Sequence, residues 1–206
     1  MHLFLYCISD THDIPDIDLV LALSAAAVDA EDTFDKIKST VDTIIKQYGT
    51  DKIRYALMTF GDTPSTIVDF SDGRGKEALR TTVQQLNRPS GDPDVEKALK
   101  EAEKLFDNAS PRPGSRRIVV IFVDKKTPNS RGDLKKAAES VIEKNVTIIP
   151  AVIGPEVDID EIEVLPTNKE YIAICEPMTP QTWPEIIIDK SLKGKSLMYT
   201  FRKGLR

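Results

Sequence analysis

The stretch Arg116-Arg117-Ile118-Val119-Val120-Ile121-Phe122-Val123-Asp124 decides the fold of this 206-residue chain. Two arginines precede six consecutive apolar residues, and the run ends at an acid. A short, unbroken run that is rich in β-branched residues predicts a strand buried on both faces, as in a parallel sheet covered by helices. Asp124 then lies at the carboxyl end of a central strand, where open α/β sheets bind their ligands.

Strand and helix patterns alternate on both sides of this stretch. Apolar runs predict two further buried strands at residues 18–23 and 146–153, and apolar residues at three- and four-residue spacing predict a helix at 29–48. A short strand at 66–70 follows the strand at 52–60 after a tight turn, so we expect these two to be antiparallel. We therefore predict an α/β, three-layer α/β/α sandwich of Rossmann-like type, with a six-stranded, mostly parallel sheet and one antiparallel edge strand.

One domain is expected to occupy most of the chain, because the interior contains no repeat and no linker-like stretch. We predict a lead-in at residues 1–15, the domain at 16–193, and a basic tail or exit linker at 194–206. The other predicted elements are helices at residues 76–87, 93–106, 131–144, 158–165 and 180–193 and a last strand at 171–175.

Composition and motifs limit the classes of function. The chain is 40% hydrophobic and 30% charged, as folded globular domains are, and its net charge is -5. That charge does not favour nucleic acid or an anionic membrane as a partner, and no apolar run reaches membrane-spanning length. Dinucleotide-binding, Walker-type and nucleophile-elbow motifs are all missing from the sequence. We therefore expect no nucleic-acid partner, no membrane insertion and no enzyme activity.

The order of the elements and the residues within them resemble one family, the von Willebrand factor type A domain. The resemblance covers about residues 16–193, and it implies a protein-interaction domain within a larger extracellular adhesion or matrix protein. Five stretches carry the resemblance. Three look like strands of the family: residues 18–23 like its first, 118–124 like its fourth and 146–154 like its fifth. Residues 60–64 (Phe-Gly-Asp-Thr-Pro) look like the turn into its antiparallel edge strand, and residues 95–99 (Val-Glu-Lys-Ala-Leu) look like the helix after its second site loop.

Many members of that family carry a metal-ion-dependent adhesion site. Its first loop reads Asp-x-Ser-x-Ser, a second loop supplies a Thr, and a third supplies an Asp after the central strand; the oxygens hold a divalent cation and leave one position for a partner's carboxylate. The resemblance places these ligands at Ser24, Ala26, Val28, Gly91 and Asp124. Since alanine, valine and glycine side chains cannot ligate a cation, we expect a degenerate site that holds no metal or other cofactor.

Metal-independent binding of a matrix or cell-surface protein is the function that we expect. In one alternative, Asp62, Asp92 and Asp94 gather near Asp124 and rebuild a metal-dependent (Mg, Ca or Mn) adhesion site; two others are an enzyme that uses Asp124 and a structural spacer. Without a metal, Asp124 is expected to cap neighbouring backbone N–H groups. The predicted partner-binding residues lie in three loops at the carboxyl edge of the sheet: Ser24, Ala25, Ala26, Ala27, Gly91, Asp92, Asp94, Asp124 and Lys125.

Three smaller signals concern the compartment and the partner. Cys7 and Cys175 are either two unrelated buried thiols or a disulfide that joins the ends of the domain. Asn-x-Ser/Thr sequons begin at Asn108 and Asn145, where we expect exposed positions, and together with the resemblance they favour an extracellular location. The tripeptide at residues 131–133 spells Arg-Gly-Asp, which integrins recognise, but it falls where a helix is expected to begin.

Overall fold

The computed structural model of the chain describes residues 15–26 and 30–175, and its strands form one six-stranded sheet in the order β3-β2-β1-β4-β5-β6. Neighbouring strands are parallel except for β2 and β3, which are antiparallel. The predicted α/β fold with one antiparallel edge strand is therefore confirmed. The strands are β1 (Ile17–Leu23), β2 (Ile53–Phe60), β3 (Pro64–Val68), β4 (Arg116–Val123), β5 (Val146–Val152) and β6 (Ala173–Ile174).

Helices cover both faces of the sheet. Residues of α1 and α2 pack with one face of β1, β2 and β4, and residues of α3 and α4 pack with the other. None of the helices in the described ranges combines the length and apolar composition that a membrane crossing needs. The helices are α1 (Ala30–Tyr48), α2 (Lys76–Gln84), α3 (Val95–Asn108), α4 (Arg131–Glu143) and α5 (Ile159–Ile162), with a 3-10 helix at Lys169–Tyr171.

Strand β4 occupies the centre of the sheet, between β1 and β5. Its side chains alternate between the two cores: Ile118, Val120 and Phe122 join one, and their neighbours at 119, 121 and 123 join the other. All six residues are at most 1% exposed. Burying a valine or isoleucine side chain contributes about 1.5–3 kcal/mol, so both faces favour apolar residues. This is the physical reason for the unbroken apolar run.

Several predicted boundaries are wrong by a few residues. The edge strand runs over Pro64–Val68 instead of 66–70, because proline is tolerated in an edge strand and because the carboxylate of Asp69 accepts hydrogen bonds from Ser71 and starts a turn. Helix α2 ends at Gln84, three residues early, and the last strand keeps only two of its five predicted residues. The predicted helix at 180–193 and the basic tail lie outside the described residues.

Candidate functional site

Three loops meet at the carboxyl edge of the sheet. The first loop (residues 24–29) follows β1 and the third loop (residues 124–130) follows β4; these strands are neighbours in register, with Leu23 opposite Phe122. The second loop (residues 87–94) leads into α3. Parallel strands end at the same edge, so the order of the sheet brings together segments about a hundred residues apart in the chain. Ala27 and Val28 of the first loop lie outside the described residues.

Asp124 joins the third loop to the first. Its side chain is 1% exposed, and the N–H of Ala26 donates to both carboxylate oxygens, Oδ1 at 3.0 Å and Oδ2 at 2.8 Å. Hydrogen bonds to an ionised acceptor are about twice as strong as neutral ones, so the carboxylate fixes the backbone of the first loop. The predicted role of Asp124 in capping backbone N–H groups is confirmed.

Ser24 is the position at which the resemblance would place a metal-binding acid, and it is also 1% exposed. Within residues 15–26 and 30–175, no group forms a hydrogen bond with its Oγ. A buried hydroxyl without a partner costs about 1–3 kcal/mol. Ala25 is buried and Ala26 is half-buried, and neither carries a side-chain oxygen. The described part of the first loop therefore offers a partner its backbone and shape rather than a ligand set.

Gly91 has no room for a side chain. Its φ is +85°, and a Cβ at this position would lie 2.1 Å from Cγ of Asp62. The carboxylate of Asp62 fills that space, and its Oδ1 accepts a hydrogen bond of 3.0 Å from the N–H of Asp92. Asp62 thus anchors the second loop. Sequence reasoning considered it only as a metal ligand and missed this role.

Two lysines bind the acids of the second loop. Nζ of Lys125 lies 3.0 Å from Oδ1 of Asp92, which links the third loop to the second. The hydrogen bond and the charge of Asp92 raise the pKa of Lys125. Nζ of Lys97 lies 2.8 Å from Oδ2 of Asp94 and 2.9 Å from the backbone oxygen of Asp62. Each of these three acids therefore has a partner within the protein.

Asp94 also begins helix α3. Its Oδ1 accepts hydrogen bonds from the N–H of Lys97 and from Nδ2 of Asn129, each at 3.0 Å. Burial by itself would raise the pKa of Asp94, but the hydrogen bonds from Lys97 and Asn129 outweigh it and the pKa is lowered. Asp94 is therefore an ionised helix cap inside a network that includes the third loop.

Asn129, at the carboxyl edge, was not singled out by the sequence analysis. Besides its bond to Asp94, its Oδ1 accepts from the N–H of Glu96 at 3.2 Å and from Oγ1 of Thr127, a buried side chain, at 2.8 Å. Its bonds to α3 join residues 33 and 35 positions apart. No local sequence pattern reports such a contact, because it depends on how α3 and the third loop pack.

Among the described residues, the side chains at this edge do not match the ligand set of a divalent-cation site. Of the five positions that the resemblance indicates, only Asp124 has a carboxylate, and that carboxylate is bonded to the first loop. Across the described residues, no three His, Cys, Asp or Glu side chains form a group that could hold a metal ion. The acids of the second loop are bonded to lysines and backbone, and they form no such group with Asp124.

The Arg-Gly-Asp tripeptide forms the first turn of α4, as expected. Its Asp133 takes part in a reciprocal cap: the N–H donates to Oγ of Ser130 at 3.2 Å, and that Oγ donates to Oδ2 of Asp133 at 2.6 Å. Arg131 is held by Glu163, at 2.7 Å, and by the backbone oxygen of Asp160. The tripeptide is thus fixed in a helix instead of being presented on an extended loop.

Both sequons and one of the two cysteines lie in the described part of the chain. Asn108 is the last residue of α3 and Asn145 follows α4, and both are exposed, as expected. Asn145 adopts φ +60°, a left-handed conformation that asparagine tolerates after a helix. Cys175 is fully buried. Cys7 lies outside the described residues, so the predicted choice between a disulfide and two thiols stays open.

A family model of the von Willebrand factor type A domain matches residues 16–176. Among solved structures, proximal thread matrix protein 1 from the mussel byssus matches at 17% identity with a TM-score of 0.77, covering 86% of this chain and 48% of that chain. Another structure of that mussel protein, with a zinc-occupied MIDAS motif, matches at 19% identity with a TM-score of 0.73, covering 87% and 48%. The manganese-loaded TRAP protein of Plasmodium vivax matches at 16% identity with a TM-score of 0.67, covering 84% and 71%.

These similarities concern the fold of the chain and its length relative to the matched proteins. At identities below 20%, the solved structures show a shared architecture and do not transfer a ligand set. The chain spans about half the length of the mussel chains that it matches. Two of the similar structures are a zinc-occupied and a manganese-loaded form, so the side chains of this chain have to be judged on their own contacts.

Proposed function

The chain belongs to the von Willebrand factor type A domain family, whose members act as interaction modules, and from this premise we propose that it binds a protein partner without a bridging metal and without catalysis. The partner is a matrix or cell-surface protein. The contact face consists of the three loops at the carboxyl edge, in particular Ser24 to Ala27 of the first loop, Gly91, Asp92 and Asp94 of the second, and Asp124 and Lys125 of the third.

One observation carries the metal-independent proposal: the connections between these loops are made by the protein's own groups. The N–H of Ala26 binds both oxygens of Asp124, and the ammonium of Lys125 lies 3.0 Å from Asp92. A cation that bridges loops needs several carboxylate, hydroxyl or carbonyl oxygens arranged around one point. Here the loops are already joined, so a partner would meet a preformed surface of backbone, small side chains and one charge pair.

The charge pair of Lys125 and Asp92 is the part of this face best placed to select a partner. The two side chains are 38% and 58% exposed, so the pair contributes little to stability. Exposed charges at the rim of an interface instead set association rate and partner choice, through complementary charge on the other protein. The buried Asp124 and Ser24 shape the loops beneath the pair.

We further propose that the domain works extracellularly as a module of a larger chain. Exposed sequons at Asn108 and Asn145 are compatible with glycosylation in the secretory pathway. The chain spans about half the length of the byssal matrix protein chains with the same fold, which supports a modular arrangement. Detection of glycan at either asparagine in protein isolated from its native source would support the location.

A thermal melt tests the metal-independent proposal. We expect the same midpoint in EDTA and in millimolar magnesium, calcium or manganese. A ligand that binds only the native state at a hundred times its Kd stabilises by about 2.7 kcal/mol, which would raise the midpoint by several degrees in a domain of this size. A saturable rise with any of these ions that disappears in Asp124→Ala would establish a metal site and overturn the proposal.

A charge swap tests the contact face. In Asp92→Lys/Lys125→Asp the ion pair is kept with its direction reversed, so we expect an unchanged melting midpoint and loss of partner capture from matrix extract in EDTA. A matched control is Lys135→Glu/Glu139→Lys, which reverses an exposed pair on α4. If both swapped proteins capture the same partners as the native chain, the carboxyl edge is not the contact face.

A further inference from the structure

We propose that a second surface, the cleft between edge strand β3 and helix α2, binds an extended acidic peptide of a partner protein. The cleft adjoins the loop face of the proposed function, because residues 87–90 of the second loop contribute to its lining, but the inference does not depend on that function. It rests on the cavity, on the charge of its lining and on the open edge of the sheet.

The cleft has a volume of about 530 Å³, within the usual range of about 300–1,000 Å³ for ligand sites. Its floor includes Thr59 of β2 and Leu86 after α2, which are 7% and 8% exposed. Ser65 and Ile67 of β3 form one wall, and Thr82 of α2 belongs to the other. The lining therefore combines hydroxyl groups with apolar side chains, as peptide-binding clefts do.

The charged side chains that line the cleft are both arginines. Arg74 and Arg88 contribute to the lining, and no acidic residue does, although the chain as a whole carries a net charge of -5. A cleft with this lining on an acidic protein selects a negatively charged occupant. Guanidinium groups bind carboxylates with two parallel hydrogen bonds, so acidic side chains fit the site.

Both arginines are held loosely by their neighbours. Arg74 donates to Oγ1 of Thr82 at 2.9 Å and lies 3.3 Å from Asp72. Arg88 lies 3.5 Å from Glu31, which is 86% exposed, and donates to the backbone oxygen of Ala25 at 3.5 Å. Exposed ion pairs at such distances contribute at most about 1 kcal/mol. A partner carboxylate can therefore compete for each guanidinium.

The open edge of β3 explains why the occupant should be an extended peptide. Strand β3 ends the sheet, and within the described residues only β2 pairs with it. Such an edge presents backbone N–H and C=O groups to which a further strand can add. Thr66 faces Glu101 of α3 on the opposite side, whereas Ser65 and Ile67 face the cleft. An added strand would likewise send alternate side chains over the cleft, toward the arginines.

Selection from a displayed library of random octapeptides tests the proposal. The immobilised native chain should enrich peptides with two acidic residues at alternate positions. Arg74→Gln/Arg88→Gln, which removes both guanidiniums, should enrich none of them. Lys100→Gln/Lys104→Gln is the matched control, because it removes two exposed cations from α3 and should behave like the native chain. Equal enrichment by the native chain and the arginine variant, or enrichment of basic peptides, would overturn the proposal.

The most enriched peptide then tests the binding mode. Its affinity should fall about tenfold or more in the arginine variant, as loss of charged hydrogen bonds predicts. N-methylation of alternate backbone amides of the peptide should abolish binding, and amide exchange should slow within residues 65–68. Undiminished binding of the methylated peptide, displacement by inorganic phosphate alone, or protection at residues 24–26 and 124–130 instead of β3 would each contradict strand addition. Self-association that the arginine variant abolishes would make a second copy the occupant and would also overturn it.

Discussion

Two buried aspartates lie at opposite ends of the same sheet, and different kinds of group donate hydrogen bonds to their carboxylates. Asp18, at the amino end of β1, is 2% exposed and Asp124, after β4, is 1% exposed. Asp18 accepts hydrogen bonds of 2.9 Å from Arg54 and Arg112 and one of 3.2 Å from Ser115. Asp124 instead holds the backbone N–H of Ala26 with both oxygens.

The difference separates an end of the sheet whose polar groups are bound within the fold from the end at which we propose the contact face. At the amino end, one carboxylate is shared by two guanidiniums, and Arg54 also lies over the ring of Phe70 at 5.0 Å. The polar side chains of this network bind one another and hold the strands together. At the carboxyl end, Asp124 shapes a loop, Ser24 has no partner in the described part of the chain, and charged groups stay exposed above them. We place the proposed contact face at the carboxyl end because the charged side chains of Lys125 and Asp92 are exposed there.

The largest effect is expected at the amino end. Asp18→Asn removes the charge between two guanidiniums, and loss of one partner from a buried ion pair lowers the free energy of unfolding by about 3 kcal/mol or more. Urea denaturation measures it. Asp16→Asn is the control, because Asp16 and Lys52 form a half-exposed pair at 3.5 Å that should contribute less than about 1 kcal/mol. Equal losses in the two variants would remove the distinction between the network and an ordinary surface pair.

A smaller loss is expected at the carboxyl end. Asp124→Asn weakens a charge-assisted bond to one backbone group, and we expect the free energy of unfolding to fall by about 2 kcal/mol. Amide exchange should accelerate at Ala26 and leave β4 protected. Asp92→Asn serves as the control, since its exposed pair with Lys125 should contribute less than about 1 kcal/mol. A loss in Asp124→Asn as large as in Asp18→Asn would mean that Asp124 supports the core as well.

Asp94 should give the carboxyl end its own pH dependence. Because the pKa of Asp94 is lowered in the folded chain, its charge stabilises the fold above the unfolded value of about 3.9, and this contribution disappears as the pH falls through the lower folded value. Asp94→Asn should therefore be less stable than the native chain by about 1 kcal/mol at neutral pH, with no difference in strong acid. Urea denaturation at several pH values checks this; a difference that grows in acid would reverse the sign and contradict it.

The smallest changes in stability are expected for two serines, one at each end of the sheet. Ser115→Ala removes a hydrogen bond to Asp18 and should lower the free energy of unfolding by about 1 kcal/mol. Ser24→Ala removes a buried hydroxyl that has no partner in the described residues, so stability should stay the same or rise by up to about 1 kcal/mol. Urea denaturation of both variants gives the two signs, and a clear loss in Ser24→Ala would show that its hydroxyl is bonded in the native chain.

Local pattern was sufficient for most of the fold. The apolar run at 118–123 is the central strand because both sheet faces require apolar side chains there, and the residues of α1 at three- and four-residue spacing form its buried face. Boundaries were wrong where a single contact ends an element, as Asp69 does after β3. The nine partner-binding residues stay a prediction, since their role depends on another molecule.

Residue periodicity was enough to predict the alternation of strands and helices, because it is a local property, and the resemblance to the family is confirmed; the loss of adhesion-site ligands stays a prediction. The contacts of the loop side chains follow from the tertiary structure. That Asp124 binds Ala26, that Asp62 fills the space beside Gly91, and that Lys125 reaches Asp92 depends on loops joined across 98, 29 and 33 positions of the chain. Such contacts follow from strand order and packing, and no short stretch of sequence contains them.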